Sequence, residues 1–300
     1  MRRIIVEFVI AHVLMAVLVG VVLLMPDARK VYPCDAFIEA AYLIALFRGR
    51  RLDPFPSGSS DIVCAVWVLL LVWELASTKL GIAHSVLIPS PENVFYVFER
   101  SGPELWGNVV SSLELLVTGY VLGTVLGVFL GIVVGWVPRL RAMFYPIANV
   151  LAPIPSVIFT PFLVILMPTY RWAAIMVILL GVFWPQFLSM ILRVGSLPAA
   201  ITDNARVLKV SNWTMITKII LPFIVPDVLG NMRVSLTTGF LMLMYAESFG
   251  AKSGIGYWIS NANVFANYAN IVAGVITCGM TVTALNYLTA WLQRRFTTWR

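Results

Sequence analysis

Long apolar stretches separated by short polar connections run along almost the whole chain. Seven of them reach roughly the 20 residues that a helix needs to cross a bilayer; they lie at 4–25, 62–80, 108–137, 142–167, 171–192, 224–246 and 270–292. This pattern predicts an all-α polytopic membrane protein. We expect residues 1–60 to hold one extra N-terminal span and a linker, and residues 61–300 to hold a core of six spans.

The composition narrows the classes of protein further. Of the 300 residues, 60% are apolar and only 12% are charged, whereas a soluble domain carries about a quarter charged residues. So few charges cannot cover a water-facing surface, which argues against a soluble enzyme and against a nucleic-acid partner. The net charge of +7 is instead typical of basic residues kept on the cytoplasmic side of a cell membrane.

Basic residues are concentrated in alternate connections, which predicts the topology. We expect these connections to be cytoplasmic: 138–141, 193–218 and 293–300. The segment 26–61 has five basic residues and is also expected inside, which puts the N-terminus outside, although Arg2 and Arg3 favour the opposite orientation. Within this segment, 37–46 is predicted as a short interfacial helix and 53–60 as a linker.

Motifs that carry covalent chemistry do not occur in the sequence. It has neither a G-x-x-x-x-G-K-[ST] phosphate loop nor an H-E-x-x-H zinc motif. His12 and His84 are the two histidines, and Cys34, Cys64 and Cys278 have no metal-binding or disulfide spacing. We therefore predict that this chain is not an enzyme and binds no metal or cofactor itself.

A stripe of glycines marks the third apolar stretch. Its members recur every four residues: Gly119, Gly123, Gly127, Gly131 and Gly135. This spacing places them on one helix face, where a second helix can approach closely. Two interpretations remain open: plain helix packing, or a sliding surface in a gated transporter.

Prolines are concentrated in the fourth apolar stretch: Pro146, Pro153, Pro155, Pro161 and Pro168. Each removes a backbone donor and bends or breaks a helix. Such breaks are tolerated where the backbone is buried in protein or lines a cavity. The pattern favours a helix that lines a pathway over one that faces lipid, with Pro153, Pro155 and Pro161 as pathway candidates.

Three carboxylates lie within apolar stretches, and an intramembrane carboxylate is a functional candidate. Glu74 and Glu114 are also consistent with solvated positions near the outer interface. Glu247 ends the sixth stretch just before the glycine-rich residues 250–257. It is a pathway candidate that either contacts substrate or accepts hydrogen bonds from amides of that loop.

The polar segment 198–222 is longer than a connection between two spans requires. Pro198 is suited to start a helix, on which Ile201, Ala205 and Leu208 share one face. Ser211 or Asn212 is suited to cap a second short helix, and Pro222 is expected to end that pattern before the sixth span. The segment predicts a compact helix–turn–helix that docks a partner.

The same segment carries a resemblance to a known family. The family motif is E-A-A, three residues, G, nine residues, then I-x-L-P; here Asp203-Asn204-Ala205 takes the first place and Lys209 the glycine place, and Ile219 and Leu221-Pro222 match the end. Three further runs agree in order: 88–95, 152–161 and 246–257. Over 62–296 the chain resembles permease subunits of ATP-binding-cassette importers of the nitrate/sulfonate/taurine type.

The resemblance implies a fold, partners and roles. It implies a type I importer permease in the cell membrane, in which two permease copies, expected to be identical, surround one pathway for a small polar solute. Two ATPase subunits, which bind the ATP and Mg²⁺, dock on the cytoplasmic side, and a substrate-binding protein docks outside. The residues implied to couple to the ATPase are Asp203, Asn204, Ala205, Leu208, Lys209, Ile219, Leu221 and Pro222.

Two expectations follow for the coupling residues. The face with Ile201, Ala205 and Leu208 is expected to enter a groove on the ATPase. If the glycine place requires a left-handed backbone, Lys209 costs about 1 kcal/mol or more relative to glycine. The alternatives left open are a secondary transporter or channel not coupled to ATP, and a membrane scaffold that transports nothing.

Overall fold

The computed structural model describes residues 10–19, 57–79 and 87–296, and these residues form helices and short connections without any strand. The all-α fold class predicted from the sequence is therefore confirmed. The helices are α1 (Ile10–Val19), α2 (Ser57–Glu74), α3 (Pro91–Trp136), α4 (Pro138–Leu151), α5 (Thr160–Leu166), α6 (Tyr170–Gly195), α7 (Ala199–Val207), α8 (Asn212–Glu247), α9 (Ile255–Val264) and α10 (Tyr268–Phe296).

The chain divides into two compact units. One comprises Met1–Gly102 with Ala262–Ala273, and the other comprises Pro103–Asn261 with Gly274–Arg300. The core of the second unit is formed by apolar side chains of α3, α6 and α8. Leu116, Ile178 and Phe240 are among its buried members.

Within the described residues, four helices are long and apolar enough to cross a membrane: α3, α6, α8 and α10. A fifth crossing is obtained if the bent pair α4 and α5 counts as one span. Of the predicted first span only α1 is described, and the predicted second span corresponds to α2 and the π-turn Leu75–Lys79. The total of seven spans stays a prediction, and the predicted interfacial helix 37–46 lies outside the described residues.

Sequence signals explain several helix ends. Pro91 and Pro138 stand at helix starts, where the missing N–H is not needed. The Thr169 and Ser211 hydroxyls accept backbone N–H groups in the first turns of α6 and α8. Ser57–Ser60 already belong to α2, so the linker predicted at 53–60 is wrong at its C-terminal end.

Helix α3 is much longer than the apolar stretch at 108–137 that predicted it. Its 46 residues correspond to about 69 Å of helical rise at 1.5 Å per residue, against a hydrocarbon thickness of about 30 Å. Hydropathy reports only the apolar part of a helix, and the polar residues after Pro91 continue the same helix beyond it.

The fourth stretch, 142–167, is not one straight span. Helix α4 ends at Leu151, the chain passes through Pro153 and Pro155, and a 3₁₀ turn at Ser156–Phe159 leads into α5. The two halves are bent by 83°. Two prolines with one residue between them remove backbone donors that a continuous helix would need.

Pro222 does not end the helix that precedes it, which corrects the prediction. Helix α8 continues from Asn212 to Glu247 through a π-helical turn at Met215–Ile220. At the end of that turn the Leu221 N–H donates to the Ile216 carbonyl, five residues back. The wider turn changes which carbonyl each backbone N–H contacts just before Pro222. The helix therefore continues although the proline has no N–H to donate.

Candidate functional site

The segment 198–222 forms helix α7, a tight turn and the start of α8. The Val210 N–H donates to the Ala205 carbonyl at 2.9 Å and closes the turn. Ser211 then caps α8, its Oγ accepting the Thr214 N–H at 3.2 Å. Lys209 has φ 48°, which is the left-handed conformation that glycine adopts without steric cost. The residue in the family's glycine place therefore has the backbone that favours glycine.

The segment has a buried face and an exposed face. Ala205 is only 8% exposed, and it packs with Ile132, Met190 and Val194 from the ends of α3 and α6. Ile201 packs against the same cluster. The expectation that Ala205 enters a partner's groove is therefore wrong, because its own chain already covers it. Ile201 is only partly buried, and for this residue the expectation stays a prediction.

Apolar side chains of the turn lie on the other face. Val207 is 81% exposed, Leu208 75% and Trp213 67%, and the polar Asp203 and Lys209 are exposed beside them. The remaining residues of the motif divide in the same way. Asn204, Leu221 and Pro222 are exposed, whereas Ile219 packs against the buried cluster.

The turn is fastened to the end of α3. The Trp136 indole N–H donates to Asn212 Oδ1 at 3.1 Å. Met215 and Ile220 of α8 are buried in the cluster that also holds Ala205. A force on the exposed face would therefore be transmitted to the ends of three helices.

The glycine stripe faces helix α6 along five successive turns. The facing residues are Ile175 and Ile178 at Gly119, Leu179 and Val182 at Gly123, Phe183 and Gln186 at Gly127, Phe187 and Met190 at Gly131, and Ile191 and Val194 at Gly135. A Cβ added at any of the five glycines would lie 2.6–3.1 Å from the nearest atom of α6. Residue numbers rise together in both helices, so α3 and α6 run parallel in close contact.

Glu247 lies in a buried polar cluster at the other end of α8. Its side chain is 1% exposed. Oε1 accepts the Ser112 hydroxyl at 2.6 Å, and Oε2 accepts the Gly256 N–H at 2.7 Å at the start of α9. Of the two roles considered for Glu247, the structure therefore shows the second, in which the carboxylate accepts a hydrogen bond from an amide of the loop.

The neighbouring loop amides are held by α3. The Ile255 N–H donates to Ser112 Oγ at 2.9 Å, and the Gly254 N–H donates to Asn108 Oδ1 at 2.8 Å. Gly254 has φ 120°, and a Cβ there would overlap the Glu247 carboxyl group. Only glycine satisfies both constraints at this position.

The bend between α4 and α5 brings the three proline candidates to an exposed surface. Pro153, Pro155 and Pro161 are all exposed, while Ser156 between them is buried and donates to the Val177 carbonyl at 2.8 Å. Gly181 of α6 faces Ser156, and a Cβ there would lie 2.6 Å from its Oγ. The bend is thus fixed to α6 on one side and open on the other.

The other charged candidates have different surroundings. Glu114 forms an exposed ion pair with Arg171, and Glu74 is buried. Sequence reasoning missed Arg233, which lies within the sixth apolar stretch, is exposed, and donates through Nε to Asn286 Oδ1 at 3.3 Å. A basic residue inside an apolar stretch was the signal that could have identified it.

Comparison with known proteins identifies the family. A family model described as binding-protein-dependent transport system inner membrane component matches residues 123–299. SsuC of Bacillus subtilis (strain 168), provisionally named an aliphatic sulfonates transport permease protein, is 28% identical over 236 residues, covering 78% of this chain and 85% of its own. The taurine transport system permease protein TauC of Escherichia coli (strain K12) is 27% identical over 239 residues, covering 77% and 86%.

A further relative supports this assignment, and a solved structure has a similar fold. The nitrate import permease protein NrtB of Synechococcus elongatus (strain ATCC 33912 / PCC 7942 / FACHB-805) is 27% identical over 265 residues, covering 83% of this chain and 92% of its own. The fold is similar to a chain of the inward-facing MetNI methionine ABC transporter (CY5 native crystal form), with TM-score 0.50, 19% identity, and coverage of 68% of this chain and 96% of that one. The chain therefore belongs to the family of inner-membrane components of binding-protein-dependent transport systems.

Proposed function

We propose that this chain is the permease subunit of an ATP-driven ABC importer, which forms the translocation pathway and hydrolyses no ATP itself. Two copies surround one pathway, two ATPase subunits bind the exposed face of 198–222, and a substrate-binding protein delivers solute from outside. The observation that carries the proposal is the turn with Val207, Leu208 and Trp213. These apolar side chains are exposed on a polar segment, away from the chain's own core.

The burial pattern supports mechanical coupling through this turn. Its rear face packs against the ends of α3 and α6, and its second helix is continuous with the membrane-crossing α8. Closure of the ATPase dimer would displace the turn and shift the three helices together. The result is a change in the population of inward-facing and outward-facing states, biased by ATP on one side and by the loaded binding protein on the other.

We propose small oxyanions as the substrate class. The relatives are named for aliphatic sulfonates, taurine and nitrate, and each of these solutes presents a compact anionic group with several oxygen acceptors. We assign the selection among such anions to the binding protein, so the permease only has to let small oxyanions pass as a class.

The proposal is tested by placing a charge in the exposed turn. Leu208→Glu should leave membrane insertion intact, because Leu208 packs against nothing in its own core, yet it should bury an unpaired charge at the ATPase contact, which is strongly unfavourable. We expect at least a tenfold loss of co-purified ATPase, since each 1.4 kcal/mol changes an equilibrium tenfold.

Phe249→Glu is the matched control, because Phe249 is also exposed and apolar but follows the opposite end of α8. This variant should retain the ATPase. Equal ATPase recovery with Leu208→Glu and the unmodified chain would show that the turn is not the docking element. Loss in both variants would indicate a general effect of the added charge.

A further inference from the structure

Arg233 is a basic residue deep within a membrane-crossing helix. Asp227, which pairs with Arg193 near the end of α6, lies about 9 Å from Arg233 along the axis of α8 at 1.5 Å per residue. Asn286, the hydrogen-bond partner of Arg233, lies on α10. It is about 12 Å along the helix axis from Arg294 in the last turn. Both distances, counted along the helix axes, place the backbone of Arg233 and of Asn286 inside the apolar part of the two helices.

An arginine at such a depth does not face lipid without a large cost. Charged side chains within spans face the bundle interior or a water-filled cavity. The Arg233 side chain is nonetheless exposed on the surface of the second unit. Its surface is therefore expected to be covered by water, solute or protein rather than by acyl chains.

The partner of Arg233 differs from those of two other arginines. Arg171 and Arg193 are neutralised by the carboxylates Glu114 and Asp227. In the part of the chain that the structure describes, no carboxylate lies within ion-pair distance of Arg233, and its bond goes to the neutral Asn286 amide. A guanidinium has five N–H donors, so one bond through Nε leaves the two terminal nitrogens available.

We propose that Arg233 and Asn286 form the anion contact of the translocation pathway and take one compact oxyanion, such as a sulfonate or nitrate, from the binding protein. The inference rests on the proposed transport function and adds a residue-level site to it. The guanidinium fork pairs two N–H groups with two oxygens of the anion. Because Asn286 Oδ1 accepts from Nε, its Nδ2 group remains a third donor on the same site.

A neutral partner suits a transport site. A carboxylate beside Arg233 would compete with the substrate, whereas the neutral Asn286 amide leaves the guanidinium charge to the anion. Conduction requires binding that is favourable enough to enter and weak enough to leave. A single guanidinium oriented by an amide satisfies both conditions.

Gly230 provides a clean reporter for this site. It lies one turn before Arg233 on the same side of α8, it is exposed, and a Cβ added there would meet nothing within 4 Å. We would introduce Gly230→Cys into the full importer complex in nanodiscs, with Cys34, Cys64 and Cys278 replaced by serine. The thiol would be reacted with the anionic reagent sulfonatoethyl methanethiosulfonate and with its cationic trimethylammonium analogue.

If the site is water-filled and positively charged, the thiol at position 230 should react with both reagents, and faster with the anionic one. Adding Arg233→Gln should lower the ratio of anionic to cationic rates by about tenfold, the low end of electrostatic effects on such rates, and Arg233→Lys should restore most of it. Ethanesulfonate or nitrate should slow the anionic reaction only while Arg233 is present. Arg171→Gln, which removes an exposed arginine already paired with a carboxylate, should leave the ratio unchanged.

Failure of this inference is distinguishable from failure of the proposed function. No reaction at Gly230→Cys, a ratio unaffected by Arg233→Gln, or no protection by either anion would each overturn the anion site, even in a complex that imports its solute. Conversely, a complex without ATP-driven uptake of ethanesulfonate or nitrate would contradict the proposed substrate class, while the labelling ratio would still decide whether Arg233 contacts anions.

Discussion

Replacing Gly131 by alanine is the sharpest perturbation of the contact between α3 and α6. The added Cβ would lie 2.6 Å from the Met190 Cβ and 2.8 Å from the Phe187 carbonyl oxygen. Neither atom is the end of a flexible side chain. The two helices would therefore have to separate locally by roughly 1 Å to restore ordinary van der Waals distances of about 3.5 Å.

Two opposing terms set the expected magnitude. Overpacking of this kind costs about 1–3 kcal/mol, whereas alanine gains about 0.5–1 kcal/mol over glycine in a helix interior. The net expectation at Gly131 is a destabilisation of about 1–2 kcal/mol. Gly239 of α8 is the matched control, because it is also buried but its added Cβ would lie 3.5 Å from the nearest atoms, at an ordinary contact distance.

Thermal denaturation of the purified variants, followed by the fluorescence of the 10 tryptophans, would measure both effects. Gly131→Ala should melt below the unmodified chain, and Gly239→Ala should melt at or above it. Equal or higher stability of Gly131→Ala would refute the close contact. Equal destabilisation by both substitutions would show that the loss of glycine, not the distance to α6, is responsible.

Three further predictions concern the two ends of α8. Glu247→Gln should lower the free energy of unfolding by about 1–3 kcal/mol, because a carboxamide leaves one buried donor of the cluster without an acceptor; unchanged thermal stability would contradict this. Lys209→Gly should raise stability by about 1 kcal/mol by removing left-handed strain without loss of co-purified ATPase, whereas weaker ATPase binding at low salt would indicate that the lysine pairs with the partner. Trp136→Phe should retain ATPase binding but raise the ATP hydrolysed per solute imported, since the turn loses its bond to α3; an unchanged ratio would exclude a role for Trp136 in coupling.

Local signals in the sequence predicted much of the fold. The four-residue spacing of the glycines predicted a face of close helix approach, and Gly131 lies against Met190 with no room for a methyl group. The pair Ser211 and Asn212 predicted a helix start with one of the two as its cap, and the Ser211 hydroxyl caps α8. These inferences succeeded because the cause lies within a few residues of its effect.

Contacts between residues far apart in the sequence could not be predicted from such local signals. Asn108 and Ser112 read as ordinary polar residues of an apolar stretch, yet they bind the loop at Gly254 and Ile255 from more than 140 positions away. Which face of α7 is buried was also misjudged. Ala205 and Leu208 share a helical face by spacing, but the turn closed by Lys209 directs Leu208 to solvent while Ala205 packs on α3 and α6.

The two polar contacts of α8 with α3 indicate how a displacement of the turn would be transmitted to the helices. At one end, Trp136 of α3 binds Asn212; at the other, Ser112 of α3 binds Glu247. The two contacts are about 36 Å apart along α3 at 1.5 Å per residue, so α3 and α8 are joined at both ends. The glycine contact ties α6 to α3 between them. We expect three helices joined in this way to move as one body, because packed interfaces switch between discrete arrangements and do not deform continuously. We then expect flexing in elements outside this group, and the 83° bend at Pro153 and Pro155, whose prolines are exposed, is one such element.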